Sequence, residues 1–349
     1  MLKRGFFKNF LLIISSSFFA LVTSHYSESY LMPFIRKAKN LYTIGSISRY
    51  EKSGSRFYTK YEFLDEPTVN PVHVAQQSFH QAENYLLRKY FSEKIHLAYK
   101  PEESIDKKNI VKVADWIINH NVEEIINDTR VIRLPYLFNY PSYDMKAKWY
   151  SGMAQGLTVV SLLAAYDITE NTLYLEKAKK VGNTLLIPVE DGGTLYKFDE
   201  NSIWHIEYAS SAKTTFPMVL NGNLFAIDGI FWIDILDKSN EKKWSELLKK
   251  SLIGLEENIH KYDTGFWSYY GLKGNFSHSG YHAIHINQLF KISDLYNLKH
   301  KENQKEIVKY LNKFLSYELL PFGFFQRLLI QSNNAVIAIY LINIIVIYI

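Results

Sequence analysis

Two short stretches gather side chains that can move protons. Trp204 to Asn221 (WHIEYASSAKTTFPMVLN) sets Glu207 beside Tyr208 in a Ser/Thr/Lys-rich segment that runs into an apolar helix at Leu220 and Asn221. Gly280 to Gln288 (GYHAIHINQ) packs Tyr281, His282, His285, Asn287 and Gln288 into the start of another apolar run. A carboxylate, phenols, imidazoles and amides are groups that take up, return or hold a proton. We read the two stretches as facing walls of one polar site. Plainer readings stand beside this one. Glu-Tyr neighbours occur by chance, and Asn221 and Asn287 can cap helix starts. His282 and His285, at i and i+3, could share a metal, but the sequence offers no evident third ligand, which favours hydrogen-bonding roles. Asp191 before Gly192 and Gly193 reads as turn chemistry.

The elements that must position these residues are mostly helical. Ala75, Phe79, Ala82 and Leu86 fall on one helical face, as do Met153, Leu157, Val160 and Ala164, and Leu220, Leu224, Ile227 and Phe231. Each stripe opens beside an amide, Gln76, Gln155 and Asn221, with Asn287 a weaker fourth case. Charged helices are predicted between them, over Thr172 to Asn183, Glu241 to His260 and Glu302 to Leu315. Such alternation predicts a mainly α fold, an incomplete α/α barrel (toroid) with inner and outer rings, although an α-solenoid would alternate in the same way. Ile187 to Trp204 and the Gly- and aromatic-rich Tyr262 to Tyr281 interrupt the pattern and read as short hairpins or loops at the active-site rim.

The ends differ in composition from this middle. Residues 1–24 carry Lys3 and Arg4 ahead of an apolar run with small residues after it, as in a secretory signal peptide or N-terminal anchor. Residues 25–66 form a short mixed, basic segment, 67–320 the helical domain, and 321–349 an apolar tail. Ala335 to Ile349 is nearly all apolar, yet at about 1.5 Å per residue it is short for a bilayer core of about 30 Å. The expected placement is the secretory route: membrane-associated, and periplasmic, extracellular or Golgi-luminal according to source.

Over 349 residues, 47% hydrophobic content suffices for a buried core. The 40 Lys+Arg against 35 Asp+Glu favour an anionic partner mildly, and without a dense basic run there is no case for nucleic acid. The absence of cysteine excludes a thiol nucleophile, a thiolate zinc site and disulfides. With 26 Tyr, most aromatic rings must fill the core, but some can serve as platforms for sugars.

Four motifs in order carry a resemblance: KWYSGMAQG (Lys148 to Gly156), WHIEY with FPMVLNG (Trp204 to Tyr208, Phe216 to Gly222), GFWSYYGLK (Gly265 to Lys273) and YHAIHINQL (Tyr281 to Leu289). Together they resemble the C-terminal catalytic domain of the glucuronyl C5-epimerases, which convert D-glucuronate to L-iduronate in heparosan and heparan sulfate. The resemblance implies that Glu207 and Tyr208 match the family's Glu-Tyr pair, and that Tyr270 and Tyr281 match two further functional tyrosines. Lys273 stands where the family usually has arginine, which keeps the charge but loses the bidentate fork for a carboxylate. The loop from Tyr270 to Tyr281 looks shorter than the family's. The β-rich domain that precedes the helices in animal enzymes looks absent or vestigial in 25–66, and the tail has no counterpart.

Inverting C5 requires removal of a proton alpha to a carboxylate and return of one from the opposite face. On this reading Tyr208 and Tyr281 exchange protons on opposite faces, Glu207 assists or acts as base, and Tyr270 orients or stabilises the carboxylate. A free tyrosine, with a pKa near 10, is a weak base but a competent acid. Lys273, His282, His285 and Asn221 are candidates to meet the developing charge; Gln155, Asn287 and Trp204 complete the expected substrate contacts. No cofactor is required, and a divalent cation such as Ca²⁺ could assist. The expected partner is an anionic, heparosan-like uronate polysaccharide, with membrane association and a homodimer left open. A uronate polysaccharide lyase would share the first proton abstraction. A glycoside hydrolase wants two carboxylates where only Glu207 is well placed. A non-catalytic acidic-polysaccharide-binding protein would keep the aromatic cleft alone.

Overall fold

A long helix without a polar face is best satisfied inside a protein, and the helices over 152–169 and 220–236 come close to that character and are buried. The computed structural model describes residues 14–24, 27, 57–61, 63–91, 104–239, 242–296, 304–319 and 334–348. Its helices, in chain order after one over residues 14–24, are α1 (Pro71–Phe91), α2 (Lys107–Asn119), α3 (Gly152–Thr169), α4 (Thr172–Asn183), α5 (Leu220–Leu236), α6 (Lys242–Asn258), α7 (Ser279–Lys291), α8 (Lys305–Leu319) and α9 (Asn334–Tyr348). The protein is mainly helical, as the periodicity predicts.

These two mostly apolar helices, α3 and α5, are buried over most of their length and pack on each other. Their backbones touch. A Cβ on Gly156 would lie 2.1 Å from the Phe225 carbonyl oxygen, and one on Gly229 would lie 2.7 Å from the Gly156 Cα. α1 packs on α3 and α7 on α5, so the helices that carry the apolar stripes follow one another in space in chain order. The amphipathic helices cover them: α2 lies on α1 and α3, α4 on α3, α6 on α5, and α8 on α6 and α7. Each presents one apolar side inward, as α6 does with Trp244, Leu248 and Leu255. The alternation along the chain is therefore an alternation of inner and outer layers.

Three antiparallel strand pairs decorate this frame: β1 (Tyr58–Thr59) with β2 (Thr68–Val69), β3 (Val122–Ile126) with β4 (Thr129–Arg133), and β5 (Leu195–Lys197) with β6 (Ile203–His205). The third begins within the stretch read as a hairpin or loop, after the Asp-Gly-Gly turn, where Gly192 has a φ of 90. The second is not anticipated from the sequence. Its turn is Asn127-Asp128, with φ 47 and 60, the left-handed pair that a tight hairpin demands and that Asn and Asp tolerate best.

Inside the helical layers sits a fully buried ion triad. Lys291 of α7 donates to Glu83 of α1 and, at 2.7 Å, to Asp228 of α5. Three charges from three inner helices are thus paired away from water, as burial requires.

At the ends, Asn343 of α9 donates to Ser27 at 3.1 Å, next to the helix over 14–24. Leu341, Ile345 and Val346 of α9 are exposed. Among the described residues no helix is long and apolar enough to cross a membrane. Most of the 25–66 segment and the stretch 320–333 lie outside the described residues.

Candidate active site

β6 delivers the chain into residues 206–209, and backbone pairing then locks this loop over the start of α3. The Gly152 amide donates to the Ile206 carbonyl at 2.8 Å, and Tyr150 and Ala209 exchange two hydrogen bonds of 2.9 and 2.8 Å. Glu207 and Tyr208 are held between these ties. The Glu207 side chain lies against Gly222 in the first turn of α5, where a Cβ would come within 2.5 Å of Oε2. Only glycine leaves room for the carboxylate. Tyr270 comes in from the other side, because the Leu220 amide donates to its carbonyl at 3.0 Å and the Leu272 amide to Pro217 at 2.7 Å. Tyr281 rides in the first turn of α7, which is capped by His278, whose Nδ1 accepts from the Gly280 and Tyr281 amides.

The four residues expected to do acid/base chemistry meet here. Tyr270 donates to Glu207 Oε1 at 3.2 Å, and the phenol oxygens of Tyr208 and Tyr270 are also 3.2 Å apart. The Tyr281 ring packs on that of Tyr270 with centroids 4.8 Å apart. Burial pushes Glu207 up to about 7, against the lowering effect of the Tyr208 and Tyr270 hydroxyls beside it. Burial and the nearby Glu207 push Tyr208, Tyr270 and Tyr281 above the ordinary phenol value. At neutral pH the phenols are therefore proton donors, while Glu207 stands at the balance point between acid and base. Its second oxygen, Oε2, is buried with no hydrogen-bond partner.

Two cavities meet at these residues. An inner chamber of about 210 Å³ is lined by Tyr61, Asn70, His73, Gln76, Tyr136 and Trp149, among others, and by Glu207. An outer cleft of about 580 Å³ is lined by Tyr143, Tyr270, Asn275, Phe276 and His278. Tyr140, Tyr208 and Tyr281 line both and so stand at the junction. Tyr143 stacks on Tyr208 at 4.1 Å, and burial pushes its phenol to about 12.

The expected substrate contacts fare unevenly. Lys273 is exposed, with Nζ 5.5 Å above the Tyr143 ring, at the rim of the outer cleft. The others line neither cavity. Trp204 is fully buried and stacks on Tyr262 at 5.6 Å; the Tyr262 hydroxyl in turn donates to the carbonyl of Met218 at 2.6 Å, where the backbone takes a left-handed φ of 48. Gln155 donates to the Ile132 carbonyl at 3.1 Å and ties α3 to β4. Asn221 is buried, with Nδ2 3.6 Å from Met153 Sδ, and neither it nor mid-helix Asn287, which is exposed, caps a helix.

His282 and His285 share one partner, the Ser268 hydroxyl, at 2.7 and 2.9 Å, and His282 also reaches the Phe314 carbonyl at 3.1 Å. Trp267 stacks on His282 at 3.7 Å. Burial holds His285 well below the ordinary histidine value, so it is uncharged. These imidazoles pin the Tyr270 loop to α7 rather than facing substrate. Among the described residues no group of three His, Asp or Glu stands ready to hold a metal.

The aromatic wall from Tyr136 to Trp149 escapes the sequence reading. Its signal is the alternation Tyr136, Phe138, Tyr140 followed by Tyr143, four rings within a polar segment. Tyr136 stacks on Trp149 at 3.7 Å and donates to Asn70 at 3.2 Å, which fixes the wall against the start of α1.

The sequence is similar to those of known proteins. A protein of Methanocaldococcus jannaschii described as uncharacterized is 30% identical over 241 residues, 67% of this chain and 68% of that protein. The D-glucuronyl C5-epimerase of Caenorhabditis elegans is 27% identical over 230 residues, 58% of this chain but only 34% of the worm enzyme. Residues 127–316, which hold Glu207, Tyr208, Tyr270 and Tyr281, match the family described as D-glucuronyl C5-epimerase C-terminus, and the chain belongs to that family.

Proposed function

We propose that this chain is an isomerase that inverts C5 of D-glucuronate to L-iduronate within an anionic, heparosan-like polysaccharide, on a frame that is an incomplete α/α barrel. The succession of α1, α3, α5 and α7 under an outer layer supports the frame. The linked set Glu207, Tyr270 and Tyr208, with Tyr281 beside it at the junction of two cavities, carries the reaction.

The C5–H bond breaks, its electron pair enters the adjacent carboxylate as an enediolate, and the proton passes to the base. Glu207 is the group whose acidity suits that task at neutral pH, acting through the phenols of Tyr270 and Tyr208. From the opposite face the Tyr281 phenol gives its proton to C5, and solvent restores the phenol. Every tyrosine here is held protonated by burial, which suits a donor. Lys273, at the cleft rim, meets the substrate carboxylate as a point charge. Side chains move both protons, so no step calls for a cofactor.

The test is incubation with heparosan in D₂O, followed at C5 by NMR. Deuterium at C5 with new iduronate signals is the expected result. Exchange with unsaturated ends would mean a lyase, and the loss of exchange in Tyr281→Phe with affinity retained separates catalysis from mere binding.

A further inference from the structure

We infer that His278 is a positioning residue: it holds the Tyr281 phenol at the junction of the two cavities and lets it go in acid. Its bearing on turnover rests on the proposed reaction, in which that phenol gives C5 its proton. Short side chains of Ser, Thr, Asp and Asn are the common caps of a helix start. Here an imidazole takes the place. His278 lies in extended backbone, φ −72 and ψ 167, and its Nδ1 accepts from the Gly280 and Tyr281 amides at 3.1 and 3.4 Å. The same ring packs on that of Tyr281, with centroids 4.2 Å apart. One side chain thus holds Tyr281 twice, through its amide and through its ring. Gly280 makes room for this. A Cβ there would lie 3.0 Å from Cε1 and 3.2 Å from Nδ1 of His278, so a larger residue would push the imidazole off the turn.

A backbone amide only donates, so Nδ1 must keep its lone pair and the ring's proton sits on Nε2. Protonation puts a hydrogen on Nδ1, where it meets two N–H groups and the positive end of the helix dipole. The cap and the imidazolium therefore exclude each other. His278 is exposed at the outer cleft, so solvent protons reach it, and partial desolvation already holds it below the ordinary histidine value of 6.5. The titratable groups that face it are Tyr281 and His285 on α7 and, around the outer cleft, Tyr140, Tyr143, Tyr208 and Tyr270, with Lys273 at the rim. Burial holds His285 uncharged and raises the phenols of Tyr143, Tyr208, Tyr270 and Tyr281, so these offer no anion to an imidazolium. The seat of Tyr281 is complete above the ordinary histidine value and is lost as pH falls through the lower folded one.

The experiment follows the full chain, labelled with ¹⁵N at histidine, glycine and tyrosine, by NMR across pH, with C5 deuterium exchange on heparosan measured for the same proteins. At pH 7 the His278 Nδ1 should resonate as an unprotonated nitrogen, and the Gly280 and Tyr281 amides should shift and exchange faster as the imidazole titrates. His278→Ala should lose that protection at pH 7 and lower kcat by about 10- to 100-fold with KM within about twofold. Gly280→Ala should do the same by expelling the ring. His278→Asn supplies an acceptor that does not titrate and should recover most of kcat. Its log kcat should fall in acid with a slope of about one, from Glu207 alone, where the wild type approaches about two. A protonated Nδ1 at pH 7, a folded His278→Ala protein with kcat unchanged, or a His278→Asn profile as steep as the wild type's would overturn the inference. The expected NMR responses in a wild type that does not exchange C5 would sink the proposed reaction and leave the seat of Tyr281 standing; C5 exchange with amides indifferent to the imidazole would do the reverse.

Discussion

The phenol oxygens of Tyr208 and Tyr270 lie 3.2 Å apart although 62 positions separate the two residues, and Tyr270 hands the contact on to Glu207 Oε1 at the same distance. Because the carboxylate can only accept, the run has one direction when Glu207 is ionised: Tyr208 donates to Tyr270, and Tyr270 to Glu207. A proton leaving substrate at Tyr208 then has a path to the one group in the set whose acidity is set near neutrality.

The rate of C5 exchange should rise with pH through an apparent value near 7, as Glu207 ionises. Glu207→Gln should lose roughly 10²- to 10⁴-fold in kcat/KM and abolish that limb of the profile. Stability gives an independent check. The folded value of Glu207, about 7, lies above its ordinary value of 4.5, so the folded state holds the proton more tightly. The contribution is therefore fully present below about pH 4.5 and is lost as pH rises toward 7. Relative to Glu207→Gln, the wild type should weaken across that window by roughly 2–3 kcal/mol, read from thermal unfolding at pH 5 and 8.

Tyr270→Phe removes a hydrogen bond that lowers Glu207, so the midpoint of the pH profile should move upward while the ring packing against Tyr281 stays. Tyr281→Phe should leave that midpoint in place, lower kcat by about 100-fold or more, and leave KM within a few-fold. A pair of variants that shift the profile identically would show that the two phenols do not play different parts.

Gly222→Ala should disable the site without unfolding the protein. Its Cβ would fall 2.5 Å from Glu207 Oε2 and 2.7 Å from Glu207 Cβ, so the carboxylate must move out of reach of Tyr270. The helix itself gains from alanine by about 0.5–1 kcal/mol, which offsets part of the crowding. Unchanged exchange in a folded Gly222→Ala would mean that the seat of Glu207 is not what matters.

Much of this arrangement was legible because the chemistry sits in two stretches that also begin helices. The apolar runs at Leu220 and Ile286 show where inner helices lie, and the polar residues at their mouths show where a site can open. The family motifs point to Glu207, Tyr208, Tyr270 and Tyr281, which do converge. Residue type alone cannot tell a ligand contact from a buried strut, and there the reading misses. His282 and His285 look like charge-stabilising groups, yet a single serine hydroxyl from the Tyr270 loop occupies both. Trp204, expected among the substrate contacts, is instead sealed against Tyr262. The Tyr136 to Trp149 wall was hidden for the opposite reason, since it lies on a loop whose placement depends on Asn70 and on distant backbone pairing.

Lys291 is the residue whose loss should cost the fold most. It holds two carboxylates, Glu83 and Asp228, inside the helical layers, and burial pushes Glu83 upward while the ammonium pulls it down. Lys291→Met leaves two acids facing each other without a cation, which should cost about 3–5 kcal/mol. The sign with pH follows. Without the ammonium that pulls it down, Glu83 titrates higher than in the wild type, so the variant should be closest to wild type in acid and weakest above neutrality, as seen in unfolding at pH 5 and 8. Replacing all three by apolar residues of similar size should restore much of the stability, because no charge is then left buried. Turnover should fall in the single variant even where it remains folded, since α7 carries Tyr281 and Lys291 ties that helix to α1 and α5. A Lys291→Met protein as stable as wild type at pH 8 would show that the triad is not needed to hold these helices together.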